Sequence, residues 1–445
     1  MIRRGWAVLL LLTGCAGAES RTARRPNLVL IVADDLGYAE LGGDIPTPHL
    51  DRLAASGVRC TAGYVTASLC SPSRAALLTG RYQQRFGHEI NPVEETNDRP
   101  EVGLPPSERT LADHLRGAGY ATGLVGKWHL GNHPPYFPRR RGFDEFFGFL
   151  REGHYYLPPP FDGPPHHFRP REPDYNRLNP LLRNEAEIDE PRYLTDAFGQ
   201  EAAGFIDRHS GRPFFLYLAF NAPHSPMQAS PTAYARFAHV ADPHRRVFAA
   251  MVASLDDAVG RVLEALRRNG LERDTLVVFL SDNGGPTAEL TSRNDPFSGG
   301  KGQLLEGGIR VPFLVSWPAR LAGGRTYDRP VSALDILPTA LAAVGASIPE
   351  RDGVDLTPFL AGERTDDPHP ALYWRMGGAG AIREGRWKLL RSRSDEPFRL
   401  YDLDADVKES RDLAESQPDR ARTLADRWTA WNRELVEPRW QNSRR

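Results

Sequence analysis

Three unbroken apolar runs constrain this chain more than any other feature. Asn27 to Ala33, Phe214 to Phe220 and Leu276 to Leu280 lack the polar alternation of a half-exposed strand. Runs of this length without alternation belong to central strands buried on both faces, in a sheet that helices cover on each side. Helical patterns separate and follow them. One covers Thr110 to Arg116, a long amphipathic one runs from Val247 to Arg268 and stops at Asn269-Gly270, and a third runs from Ala333 to Val344 before Gly345. Strands alternating with helices predict an α/β domain with a largely parallel sheet, placed here at residues 26–348.

The segment His154 to Arg192 breaks this pattern. Pro158-Pro159-Pro160, Pro164-Pro165, His166-His167 and several tyrosines follow one another without periodicity, which predicts a long functional loop or insert. Past Pro349 the texture changes again. Ala381 to Arg383, Trp387 to Leu390 and Arg399 to Leu403 read as short strands, and Pro418 to Glu434 as a helix, so residues 349–445 are expected to form a smaller α+β subdomain.

Composition removes some function classes. With 40% hydrophobic and 25% charged residues the chain is not wholly disordered, and a net charge of −1 lacks the basic excess of a nucleic-acid binder. The three cysteines, Cys15, Cys60 and Cys70, show no paired spacing and imply no disulfide framework. Cys60 reads as a buried small hydrophobe. Cys15 lies in a leader: Arg3-Arg4, the apolar run Ala7 to Leu12, then small residues through Ala18. That pattern is a secretory signal over residues 1–18. Leu12-Thr13-Gly14-Cys15 also resembles a bacterial lipobox, which would cleave before Cys15 and lipidate it, giving a membrane anchor. A plain signal cleaved near Ala18 is the alternative. Either places the protein outside the cytoplasm: periplasmic, at the cell envelope or secreted.

Polar residues close two of the apolar runs. Asp34-Asp35 follows the first and Asp282-Asn283 follows the third. Open α/β sheets gather ligands at such strand ends, and four oxygen donors suit a hard cation such as calcium or magnesium. Each pair alone is also ordinary turn chemistry. In Cys70-Ser71-Pro72-Ser73-Arg74, Pro72 suits a first helical position, so Cys70 falls near a helix N-terminus, where a thiol is expected to be acidified. The chain holds only four lysines, Lys127, Lys301, Lys388 and Lys408, among 56 basic residues. Such scarcity singles out sites where a compact ammonium serves and a guanidinium does not.

Cys70-Ser71-Pro72-Ser73-Arg74-Ala75-Ala76-Leu77-Leu78-Thr79-Gly80 resembles the C-x-P-S-R-x-x-x-L-T-G signature of the type I sulfatases. Further segments match in family order: Asp34-Asp35-Leu36-Gly37-Tyr38, Gly126-Lys127-Trp128-His129-Leu130-Gly131, Ala222-Pro223-His224, Ser281-Asp282-Asn283-Gly284-Gly285 and Gly300-Lys301-Gly302. Arg383 to Leu389 and Leu400 to Leu403 resemble the family's C-terminal part. The resemblance, strongest to arylsulfatases and N-acetylgalactosamine-6-sulfatases, implies an alkaline-phosphatase-like fold, a large mixed sheet flanked by helices. It also implies that a formylglycine-generating enzyme converts Cys70 to formylglycine (3-oxoalanine). Asp34, Asp35, Asp282, Asn283 and the modified Cys70 would bind Ca2+. The hydrated aldehyde would attack sulfur with Asp282 as base, and His129 would assist release of the sulfate. His224 and Lys301 would hold the sulfate and protonate the leaving alcohol, and Arg74 and Lys127 would stabilise the charge around it.

Lys388 is expected to pack or cap, and Lys408 to be a solvated surface charge. His88, His133, His154, His166, His167, His209, His239 and His244 match no motif and read as loop histidines. His154, Tyr155 and Tyr156 are candidates for a substrate mouth. His49, where the family has asparagine, and Val407, where many relatives have proline, read as structural departures. The expected function is an exported sulfatase acting on a sulfated carbohydrate. The competing readings are a phosphonate or phosphate ester hydrolase of the same superfamily, or a lipoprotein that binds sulfated glycans without turnover.

Overall fold

The computed structural model describes residues 25–442 except 160–164, 169–171 and 177. The leader and Cys15 lie outside the described residues. Ten strands form one mixed sheet. In chain order they are β1 (Asn27–Ala33), β2 (Val58–Cys60), β3 (Ala121–Lys127), β4 (Glu145–Phe149), β5 (Leu181–Arg183), β6 (Ala186–Ile188), β7 (Phe214–Ala219), β8 (Thr275–Ser281), β9 (Phe313–Ser316) and β10 (Arg325–Tyr327). Across the sheet they run β10-β2-β9-β8-β1-β7-β3-β4-β5-β6. The block β8-β1-β7-β3-β4 is parallel, while β9 lies antiparallel between β8 and β2, and β5 and β6 antiparallel at the far edge.

The unbroken apolar runs have a direct explanation. Val29, Ile31 and Ala33 of β1 face one core, and Leu28, Leu30 and Val32 face the other. β7 and β8 divide in the same way, so every residue of these strands is buried. On the first face pack α3 (Leu194–His209) and α4 (Pro243–Arg268); on the second pack α1 (Cys70–Thr79), α2 (Leu111–Gly117) and α5 (Ile336–Ala343). α4 starts earlier than its apolar periodicity. Asp242 caps it, its side chain accepting the His244 N–H, and Pro243 takes the first position, where the missing N–H costs nothing. Thr110 caps α2 rather than joining it, in a reciprocal capping box with Asp113.

Two expectations fail here. The His154 to Arg192 segment is not structureless: β5 and β6 extend the sheet from within it. The C-terminal part has a strand more than expected. β11 (Leu372–Met376), β12 (Ala379–Glu384), β13 (Trp387–Arg391) and β14 (Arg399–Asp402) make an antiparallel sheet, and α6 (Pro418–Arg433) packs on it through Leu424, Trp428 and Trp431. Ahead of this sheet, Leu356 and Leu360 join the core beneath the large sheet.

Candidate active site

The site lies at the C-terminal ends of the parallel strands, where the backbone stops pairing and side chains converge. Asp34 and Asp35 follow β1, Asp282 and Asn283 follow β8, Lys127 ends β3, and His224 sits in the loop after β7. Asp35 adopts φ 68°, turning its carboxylate beside its neighbours, and its N–H donates to Asp282 at 3.3 Å. Gly126 precedes Lys127 with φ +112°, and a Cβ there would stand 1.9 Å from the Ala219 carbonyl oxygen, so only glycine lets β3 deliver its lysine this close to β7.

Ligand atoms of Asp34, Asp35, Cys70 and Asp282 lie within 4.8 Å of one another, and all four residues are buried. Each carboxylate has a cation. Lys127 Nζ is 2.6 Å from Asp34, Lys301 Nζ is 2.8 Å from Asp35, and the Arg74 guanidinium meets Asp282 at 2.7 Å. Burial works to raise the Asp35 carboxyl, yet the Lys301 ammonium and its hydrogen bond outweigh it and hold the carboxyl below its usual range. At Asp282 burial and the Asp34 charge outweigh Arg74 and lift the carboxyl to about 6. Burial would lower Lys301, but Asp35 keeps its ammonium charged well above the usual range.

Both histidines are neutral. Burial, reinforced by Lys301, brings His224 to about 3, and burial with Lys127 takes His129 well below its usual value. Carbonyl partners assign the tautomers. His224 Nδ1–H donates to the Ser225 oxygen at 2.6 Å, which leaves Nε2 facing Asp35 at 3.7 Å. His129 Nε2–H donates to the Pro92 oxygen at 3.0 Å, so its lone pair is on Nδ1, which is buried without a partner among the described residues.

Cys70 opens α1 two residues ahead of the expected start, and Pro72 takes the third helical position. The thiol is not acidified as the sequence suggests. Burial and the neighbouring Asp34 charge push it well above the ordinary thiol range, and Sγ–H donates to Asp34 at 3.3 Å. Desolvation outweighs the helix end.

Sequence reasoning missed the layer behind the site. Ser71 Oγ lies 2.6 Å from both the His129 carbonyl and His88 Nε2, and Asn91 Oδ1 accepts the Ser71 N–H. His88, expected in a solvated loop, is fully buried, with its ring against Trp440. The segment after α6 runs along this layer: Val436 and Arg439 N–H groups donate to the Gln84 and Gly87 oxygens, and Asn442 donates to the Asn91 oxygen. Its only hint in the sequence is a late tryptophan. The Tyr156 hydroxyl holds the His224 loop through the Asn221 and His224 carbonyls, while His154, Tyr155 and Tyr156 line a cavity of about 600 Å³ with Asp189 and Glu190.

Lys388 is buried, as a packing role requires, and the sequence did not show its partners: its ammonium lies between Glu306 at 2.9 Å and Glu409 at 2.8 Å. Glu306 accepts the Tyr64 hydroxyl as well, and Arg383 donates to that hydroxyl, so the cluster ties the small sheet to the segment that follows Lys301. Lys408 is exposed, as expected.

A large mixed α/β sheet with carboxylates and cations gathered at its strand ends defines the class of alkaline-phosphatase-like hydrolases of anionic esters. Comparison with known proteins narrows this. The Sulfatase family description matches residues 26–346, and that of the N-sulphoglucosamine sulphohydrolase C-terminal region matches residues 300–425. The chain belongs to the sulfatase family and is a sulfuric ester hydrolase. It is 38% identical to arylsulfatase A of Homo sapiens, covering 85% of this chain and 77% of that one. It is 34% identical to N-acetylgalactosamine-6-sulfatase of Canis lupus familiaris, covering 86% and 75%. The crystal structure of Ps i-CgsB in complex with k-i-k-neocarrahexaose superposes with a TM-score of 0.86 at 36% identity, covering 94% of this chain and 95% of that one.

Proposed function

We propose that the protein is an exported, calcium-dependent sulfatase that hydrolyses a sulfate monoester on a saccharide, with Cys70 matured to formylglycine. One observation carries the reading: three carboxylates, Cys70 and three cationic side chains share a single buried cluster. The donors fit a hard cation. They are oxygen-rich, and Asn283 Oδ1 is buried with no hydrogen-bond partner among the described residues, an orphan that a cation would satisfy. Asp34, Asp35, Asp282 and Asn283 would hold the ion beside residue 70. When present, the ion supplies Lewis acidity at a sulfate oxygen and formylglycine supplies an oxygen nucleophile.

The other roles belong to the chain's own side chains. Lys127 and Lys301 are drawn to the sulfate and compensate its charge in a site nearly closed to water, where such contacts are strong, and neutral His224 stands beside them. His129 accepts a proton at Nδ1, because Pro92 fixes the opposite tautomer. Lys301, whose ammonium stays charged, delivers a proton to the departing alcohol oxygen, and His224 shares that task only once its Nε2 has taken up a proton. Arg74 orients Asp282 through its bond to the carboxylate. The saccharide substrate is supported by the k-i-k-neocarrahexaose named with Ps i-CgsB. Export, and the choice between a lipid anchor at Cys15 and a plain cleaved signal, rest on the leader sequence; release of a soluble form by Cys15→Ala supports the anchor.

The test is sulfate release from a panel of sulfated saccharides, an aryl sulfate and an aryl phosphonate, using protein with formylglycine confirmed by mass and a Cys70→Ala control. Release from one saccharide, absent in the control, is the expected result. Turnover of the phosphonate alone would refute the sulfatase reading, and no turnover with intact formylglycine would favour a glycan-binding lipoprotein.

A further inference from the structure

The edge of the large sheet opposite the active site carries a row of arginines that follows the strand order. At the start of each parallel strand, or just after the antiparallel β9, one exposed arginine is placed. Arg320 comes after β9, Arg273 before β8, Arg25 before β1, Arg212 before β7, Arg116 in α2 ahead of β3, and Arg140 ahead of β4. These strands are neighbours in that order. At ~4.8 Å between strands the row extends ~24 Å along one edge. Contacts hold it together: the Ala319 N–H donates to the Arg273 carbonyl, and Arg25 donates to the Ala118 carbonyl beside α2. The sheet register confirms the common edge, since Asn27 pairs with Thr275, Phe214 with Ala121, and Ser316 with Val277.

Little neutralises the row. Among the described residues only Arg116 has a carboxylate in ion-pair range, Asp113 at 3.9 Å. Asp113, Asp144, Glu145, Glu272 and Asp274 lie on the same edge, with Glu145 already paired to Arg208 and His209, but exposed Arg109 and Arg139 add to the six arginines of the row, so this edge is positive on a chain whose net charge is −1. The chain also enters the fold here. Arg25 is the first described residue, in the middle of the row, and the apolar run Ala7 to Leu12 and Cys15 stand upstream in the sequence. The ten residues from Cys15 to Arg25 span at most ~35 Å when fully extended, so anything that fixes the leader to a bilayer holds this edge close to it.

We propose that this arginine edge docks on an anionic phospholipid surface, standing the protein with its active site turned away from the membrane. Strands of seven residues put the site ~20 Å above the edge, open to substrate arriving from the aqueous side. The orientation rests on the export reading, but the charge pattern does not. A row with Arg25, the first described residue, in its midst suits a lipid surface to which the leader can be fixed better than a soluble polyanion, which needs no tether at its centre.

The test uses the full chain carrying Cys15→Ala, which removes any covalent lipid, in sedimentation with vesicles of phosphatidylcholine alone or mixed with phosphatidylglycerol. The expected result is preference for the anionic vesicles, lost at high salt. Arg116→Gln, Arg140→Gln, Arg212→Gln and Arg273→Gln combined should cut that preference at least tenfold while thermal stability and aryl sulfate turnover stay unchanged. Equal binding to both vesicles, or a preference untouched in the fourfold variant, overturns the proposal. So does dextran sulfate binding at this edge without any phosphatidylglycerol preference. Because binding is read without turnover, its failure leaves the sulfatase reading standing, and loss of turnover alone leaves the docking proposal standing.

Discussion

Lys388→Met tests how the small sheet is held to the catalytic part. Lys388, Glu306 and Glu409 have side chains with no solvent exposure, so the ammonium is the charge that makes two buried carboxylates tolerable. In the variant Glu306 keeps the Tyr64 hydroxyl at 2.5 Å and Arg310 at 3.4 Å. Among the described residues Glu409 keeps only the Glu306 N–H, at 2.7 Å. Removing one partner from a buried ion cluster costs about 3–5 kcal/mol, because the remaining charge stays desolvated. Melting entropies of about 2.1 cal/mol/K per residue imply roughly 0.9 kcal/mol/K for a chain of 445 residues, so Tm should fall by about 3–5 °C. Calorimetry of the variant against Lys408→Met, which alters an exposed charge, reads the difference. Adding Glu409→Gln should recover part of the loss by removing the stranded carboxylate. A fall of under about 1 °C, or no recovery in the double variant, would refute the view that Lys388 neutralises this cluster.

Other outcomes follow from the same geometry. Lys127→Arg should lower kcat by roughly 100-fold or more with Tm preserved, since a guanidinium fork does not fit where the ammonium sits 2.6 Å from Asp34; steady-state kinetics on an aryl sulfate check this. Burial depresses His88 to about 3 from 6.5, so its contribution is complete above pH 6.5 and is lost as pH falls towards 3. Denaturant titrations across that window should show His88→Asn with a shallower loss of stability, by up to about 1.4 kcal/mol per pH unit. Calcium added to chelator-treated protein at about 100 times its Kd should contribute about 2.7 kcal/mol, a rise of roughly 3 °C in Tm. Asp35→Ala should abolish that rise.

The central architecture was legible because its cause is local. Strands covered on both faces show no alternation, and β1, β7 and β8 stand out for that reason. Short motifs marked the residues that the structure gathers, Asp34, Asp35, Lys127, Asp282 and Asn283 at strand ends, Cys70 and Arg74 in α1, and His224 and Lys301 in loops. What escaped depends on contacts distant in sequence. β5 and β6 come from a proline-rich stretch whose strand character arises only when β4 offers its edge. β11 contains Tyr373 and Trp374 and follows the Asp366 to Pro370 turn signal, but its five residues lack an unbroken apolar run, and it is defined by pairing with β12. The protonated thiol of Cys70 reflects burial and a carboxylate from β1, neither readable from the residues around position 70. His88 and Lys388 gain their roles from partners that arrive later in the chain, Trp440 for one and Glu409 for the other.

That dependence on late partners has a consequence for timing. Cys70 is 1% exposed in a helix whose every residue is buried, and the layer behind it closes only when residues 436–442 settle along Gln84 to Asn91. During synthesis the cysteine is made more than 350 residues before that closing segment. If Cys70 is converted as proposed, the converting enzyme would have to meet it before this burial is complete, and folding afterwards would seal the product from further modification.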